Sequence, residues 1–174
     1  MQQSLLATAA AAAAFLVNVA GAAGGEQECM IVEDVKVTFF GSPDNDPPGT
    51  ANTAYDCGAG RDSQAAGAGS WENPLTFATA AEGAYDKCEV VYAPFLKKYI
   101  RHEDLCATCT RNLAQGIGHI DIWTGTVHDS GEPQIQCENN LTPGPHQSFI
   151  RHPASDLEVD RKSSPPPGRC RLIA

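Results

Sequence analysis

In His119-Ile120-Asp121-Ile122-Trp123, aliphatic residues alternate with an imidazole, a carboxylate and an indole. Side chains of an extended strand alternate between faces, so His119, Asp121 and Trp123 project together while Ile120 and Ile122 point oppositely into a core. An acid between an imidazole and an aromatic ring suits a sugar-binding cleft. The ring stacks on the C–H faces of a pyranose, and partial desolvation lifts the acid toward the range of a useful general acid. A strand aspartate can equally serve the backbone N–H groups of a neighbouring loop, and both readings stand. Asp56, in Thr53-Ala54-Tyr55-Asp56-Cys57-Gly58, is a second carboxylate. It is held beside the cleft if Cys57 is bonded, or it caps a turn before a glycine-rich loop. Glu103-Asp104 is a third acidic site, either lining the same cleft or, with Lys97, Lys98, Arg101 and His102 beside it, forming a solvated charge cluster. Two carboxylates that flank a glycosidic bond lie roughly 6.5–9.5 Å apart when a water works between them and about 5 Å apart in the retaining geometry. Tyr55, Trp71 and Tyr92 are further sugar platforms or core aromatics.

Other chemistries find little support. No serine sits in a G-x-S-x-G setting, and no glycine-rich phosphate loop is present. A catalytic thiol would have to be the one cysteine left unpaired by an odd count. Cys106-x-x-Cys109, with His102 and His119 nearby, lacks the second CxxC or HxxxH of a zinc site, so no metal and no other cofactor are expected. The formal net charge of -9 argues against nucleic acid or anionic membrane as partner, since both attract basic surfaces, whereas a neutral polysaccharide is indifferent to it.

The elements that must position these residues lie behind an apolar leader. Leu5 to Val19 forms an alanine-rich apolar run with no charged side chain before Glu26, followed by the small residues Ala20-Gly21-Ala22. A run of about 15 residues is short for the roughly 20 that span a bilayer. Residues 1–22 are therefore expected to be a cleaved signal peptide, despite an n-region without Lys or Arg. The remaining chain, about 150 residues, suits one domain (23–160) and a Pro-rich tail (161–174). In an oxidising compartment Cys57, Cys88, Cys106, Cys109, Cys137 and Cys170 are disulfide candidates, with Cys29 or Cys170 the odd one. Val35–Phe40, Leu75–Ala80, Cys88–Tyr92 and His119–Thr124 read as short strands between Gly- and Pro-rich turns, and no segment shows helical periodicity beyond about two turns. Residues 58–69 read as a mobile surface loop. Asn140-Leu141-Thr142 is an N-glycosylation sequon, with Pro143 directly after it. The sum is a mainly β chain, a small barrel or sandwich.

Taken in order, Thr53–Cys57, Leu75–Ala80, Val91-Tyr92-Ala93-Pro94, Glu103-Asp104 and His119–Trp123 resemble the motifs of the 3D domain, a double-psi β-barrel. His119-Ile120-Asp121-Ile122 is also similar to the His-Phe-Asp-Leu motif of expansins and family 45 endoglucanases, and Tyr55-Asp56-Cys57 to the base-bearing segment of those endoglucanases. The whole chain resembles secreted proteins of filamentous fungi. The resemblance implies a six-stranded double-psi barrel with long disulfide-linked loops and little helix. It further implies Asp121 as catalytic acid, as in lytic transglycosylases of the MltA type, with Asp56 or Asp104 as base or stabiliser and Trp123, Tyr55, His119 and Tyr92 on the sugar. Ala93 stands where the 3D domain has an aspartate, and Leu105-Cys106 replaces its Thr-Gly. The expectation is a secreted, monomeric protein acting on a cell-wall polysaccharide as a glycosidase or lytic transglycosylase. The alternative is a non-catalytic module: expansin-like, a secreted effector, or a protease inhibitor presenting the 59–69 loop.

Overall fold

The computed structural model describes residues 28–45, 47–126 and 131–161. The expected signal peptide, Cys170 and all of the tail after Arg161 lie outside the described residues.

Six strands close into a barrel: β1 (Met30–Phe40), β2 (Leu75–Thr79), β3 (Val90–Ala93), β4 (Lys98–Leu105), β5 (His119–Trp123) and β6 (Gln147–Arg151), in the order β1-β5-β2-β4-β3-β6. Closure removes the unpaired edges that an open sheet of this size would leave. The pairs β1–β5 and β2–β4 are parallel, and the other pairings are antiparallel. Among the described residues the helices are α1 (Ala107–Leu113) and α2 (Glu132–Leu141). The chain is thus mainly β with little helix, as its short strands and frequent turns imply.

The alternation of each strand sorts residues into two layers. Val35, Val37, Phe39, Leu75, Phe77, Val91, Ile100, Ile120, Ile122 and Phe149 fill the barrel interior. Outside, Phe40, Ala78 and Trp123 pack with Ala65, Cys106 and Cys109 in a second, smaller cluster beneath α1 and the 51–66 segment. The interior matches the expected inward face of β5. The outer face of β5, expected to be open, is instead largely roofed.

Several boundaries differ from expectation for local reasons. β1 begins at Met30, before the apolar run, because its first residues pair with β6 across an irregularity between Val32 and Val35. β3 begins at Val90, since Cys88 takes a left-handed φ of 63° and is bonded to Cys57. The 58–69 loop is on the surface but pinned rather than mobile. Arg61 donates to Glu103 at 2.7 Å, to Asn73 at 2.7 Å and to the Pro74 carbonyl at 2.6 Å. Gly67 serves close approach: at φ 113°, a Cβ there would lie 2.0 Å from the Pro74 carbonyl oxygen. Glu103 is not part of a solvated charge cluster. It is 2% exposed and held by Arg61 and by Arg101, whose Nε donates at 2.8 Å, so the buried charge is paired.

Cys57–Cys88 joins residues 31 apart, whereas Cys106–Cys109 joins residues 3 apart. Closing the longer loop restricts the unfolded chain more. Cys57→Ser with Cys88→Ser is expected to lower stability by about 3–4 kcal/mol, read as a fall in the urea midpoint with a steeper slope, since the freed unfolded chain exposes more surface. The Cys106→Ser, Cys109→Ser pair should lose less; an equal loss would contradict the loop-length argument.

Candidate functional site

A groove of about 570 Å³ opens on the outer layer beside β5, lined by Phe40, Ala78 and Cys106 and by Asp44, Asp104 and Asp121. Two of the three carboxylates singled out in the sequence therefore share one cavity, and β-sheet register is what brings them there. Ala78 on β2 pairs with Asp104 on β4 and with Asp121 on β5, so the two acids stand one strand to either side of it. Two strand spacings put their backbones roughly 9.5 Å apart.

Among the described residues Asp121 is held by a hydroxyl, not by main-chain amides. The parallel register sets Thr38 of β1 opposite Asp121 and Lys36 opposite His119. The Thr38 hydroxyl donates to Asp121 Oδ1 at 2.7 Å and lies 2.9 Å from His119 Nε2. Asn112 of α1 donates to His119 Nδ1 at 2.8 Å, which leaves the imidazole proton on Nε2 and makes Nε2–H the donor to Thr38. The chain of bonds runs Asn112 to His119 to Thr38 to Asp121. Burial, with a smaller contribution from Lys36, lowers the His119 pKa to about 4, so the ring is neutral near pH 7. Burial pushes Asp121 up to about 6, and Asp44 adds to this; the Thr38 bond opposes it only in part.

Asp104 is anchored differently. Its Oδ1 accepts the backbone N–H groups of Ala54 at 2.9 Å and Leu105 at 2.8 Å, the loop-holding role weighed above for Asp121. Burial nevertheless outweighs those two bonds and raises its pKa. Asp44 ties the groove to α2. Its Oδ1 accepts from the Gly41 amide, and its carboxyl adds to burial in pushing up the pKa of Glu138 on α2.

The remaining expected residues fall elsewhere. Asp56 is exposed, is not among the groove-lining residues, and accepts from the Gly58 amide at 2.9 Å, capping the turn before the glycine-rich loop. Trp123 is 2% exposed and packs edge-on against Phe40 at 5.2 Å, so the sugar-stacking role expected of it has no open ring face. Tyr92 is likewise buried, with its hydroxyl donated to the Glu158 carbonyl. Tyr55 is half-buried, edge-on to His102, with the Lys87 ammonium 4.8 Å from its ring centre. Trp71 is exposed but stands edge-on to Tyr99 on β4, away from the groove. Cys57–Cys88 and Cys106–Cys109 are disulfides, Cys137 is also disulfide-bonded, and Cys29 is free and exposed. Asn140 is exposed near the end of α2.

Thr38, Asn112 and Asp44 were not singled out in the sequence. Thr38 alone carried a signal, as a hydroxyl sharing the outward parity of Lys36 in a β-branched and aromatic run.

The raised Asp121 pKa has a cost in stability. Between about pH 4 and 6 the folded chain keeps a proton that the unfolded chain has released, so this group's contribution falls as pH rises through that window. Asp121→Asn should therefore stabilise the protein by ~1–3 kcal/mol near pH 7.5 and change little near pH 4. Thermal melts at the two pH values test this, and equal shifts at both would refute the desolvation account.

The family model described as DDB_G0273701 N-terminal domain matches residues 32–170, a span that contains the groove, both helices and β2 to β6 entire. The uncharacterized protein DDB_G0273701/DDB_G0273221 of Dictyostelium discoideum is 35% identical over 128 residues, 72% of this chain and 53% of that protein. The chain thus spans about half the length of this relative. No solved structure matches. With the family model covering the barrel and its groove, the chain belongs to the DDB_G0273701 N-terminal domain family.

Proposed function

We propose that the groove receives a chain of a cell-wall polysaccharide and that Asp121 is a general acid within it. The observation that carries this reading is a desolvated aspartate, pushed up to about 6, that lines an open groove together with a second carboxylate and is oriented by a neutral hydroxyl–imidazole relay. Such a group holds its proton under mildly acidic conditions and gives it up readily, as a general acid must. The resemblance to double-psi barrels that act on glycans supports the same assignment.

In this scheme protonated Asp121 donates its proton to the glycosidic oxygen as the bond to the anomeric carbon breaks. Thr38, bonded to Oδ1, keeps the carboxyl oriented and stabilises the carboxylate left behind. Asp104, across Ala78, faces the developing oxocarbenium charge or directs a water to it. The acidic chain as a whole repels anionic polymers and tolerates neutral ones. Secretion and a monomeric state belong to the same proposal.

One observation favours a second reading, a binding or wall-loosening module without hydrolysis. Asp56, at the position that resembles the base of the family 45 endoglucanases, is spent on a turn outside the groove.

Release of soluble sugars from chitin, β-glucan and peptidoglycan, measured alongside pull-down on the same polymers, separates the two readings. For an enzyme, Asp121→Asn should cut release at least ~100-fold while binding persists, and wild-type rate should fall as pH rises through about 6. Wild-type protein that binds a polymer yet releases nothing is the module. Failure to bind any of them removes the polysaccharide reading.

A further inference from the structure

We propose that Cys106, Cys109 and His119 form a zinc site that becomes available when the Cys106–Cys109 disulfide is reduced. A metal-ligating atom from each of the three residues lies within 4.8 Å of the other two, and all three residues are buried. The sequence offered a CxxC without a second ligand pair; the fold supplies the third ligand by laying β5 against α1.

The imidazole is already set as a ligand. Its Nδ1 accepts from Asn112, one turn beyond Cys109 on α1, so a zinc ion that displaces this amide takes a lone pair already directed at the helix that carries Cys109. Its other nitrogen donates to Thr38, and zinc-bound histidines regularly make such a bond from the ring nitrogen that does not hold the metal. The Cys109 amide already donates to Cys106 Sγ at 2.9 Å, a bond that favours a thiolate there. Cys106 lines the groove, which gives a small reductant and an ion a way in. The disulfide spans only 3 positions, so it constrains the chain little and opens without releasing a long loop.

A dithiol reductant gives two electrons and two protons to the Cys106–Cys109 bond and leaves as its own disulfide. Zn²⁺ then displaces one proton from each thiol and takes the Nδ1 lone pair in place of the Asn112 N–H. Around a tetrahedral zinc the two sulfurs stand roughly 3.7 Å apart, a separation that cleavage of their bond permits. Two sulfurs and one nitrogen leave a fourth position for water. Because Nε2–H still reaches Thr38, metal occupancy couples to the Asp121 carboxyl through one hydroxyl. The proposal stands independently of what the groove binds.

The test uses the full chain carrying Cys29→Ser, reduced with a phosphine until alkylation mapping shows Cys106 and Cys109 free and Cys57–Cys88 intact, then titrated anaerobically with Co²⁺. The expected result is one equivalent bound, with thiolate-to-cobalt charge-transfer and d–d bands that Zn²⁺ abolishes. Unreduced protein should show neither band. Cys106→Ser should lose the bands, and His119→Ala should weaken binding at least tenfold. Asn112→Ala, which spares every ligand, should bind more tightly, and its circular dichroism checks the fold. The proposal is overturned if Cys57–Cys88 opens first, if the reduced chain gives no thiolate bands, or if Cys106→Ser retains them.

Discussion

The parallel pairing of β1 with β5 sets Val37 against Ile120 and Phe39 against Ile122 inside the barrel, and between them it sets Thr38 against Asp121 outside. Side-chain direction has a period of two along both strands, so the register that completes the core is also the one that places hydroxyl and carboxyl together. A slip of one residue would bury Asp121 in the interior and expel Ile120 and Ile122. The apolar contacts thus enforce the polar ones, and the site inherits its precision from the core.

The two neighbouring acids of β4 show how the same strand treats charge in two ways. Glu103 is sealed under the 58–69 loop and neutralised by Arg61 and Arg101, so it acts as a tether. Asp104, the next residue, turns to the groove and is held by amides. An irregularity in the β2–β4 pairing falls between the partners of Phe77 and Ala78, and it leaves Glu103 out of the register. Among the described residues Asp121 is bonded by neither a guanidinium nor an amide but by Thr38, and its pKa rises accordingly. Groups kept desolvated and incompletely compensated are where a fold gives up stability for chemistry.

Four of the six strands were legible because their residues alternate or are β-branched between turn residues. β4 was not, since Lys98, Arg101, Glu103 and Asp104 look solvent-bound until their partners from distant loops are known. β6 carries too few apolar residues to stand out, and its pairing with β1 and β3 makes it a strand. The helices escaped notice because α1 is barely two turns long and α2 turns Gln134 and Glu138 inward, where Thr124 and Asp44 meet them, so neither has an apolar stripe.

Residue types and their spacing by themselves determined the β class, the inward face of Ile120 and Ile122, the shared outward face of His119, Asp121 and Trp123, and the unpaired cysteine near a terminus. These follow from local geometry, which reaches only a few residues along the chain. Tertiary structure alone decided that Asp104 rather than Asp56 joins Asp121, that Trp123 is roofed by Phe40 and the cysteines, and that Thr38 and Asn112 hold the relay. Each of those outcomes depends on which strands lie side by side and which loop covers them, contacts between positions tens of residues apart whose energies no local pattern records.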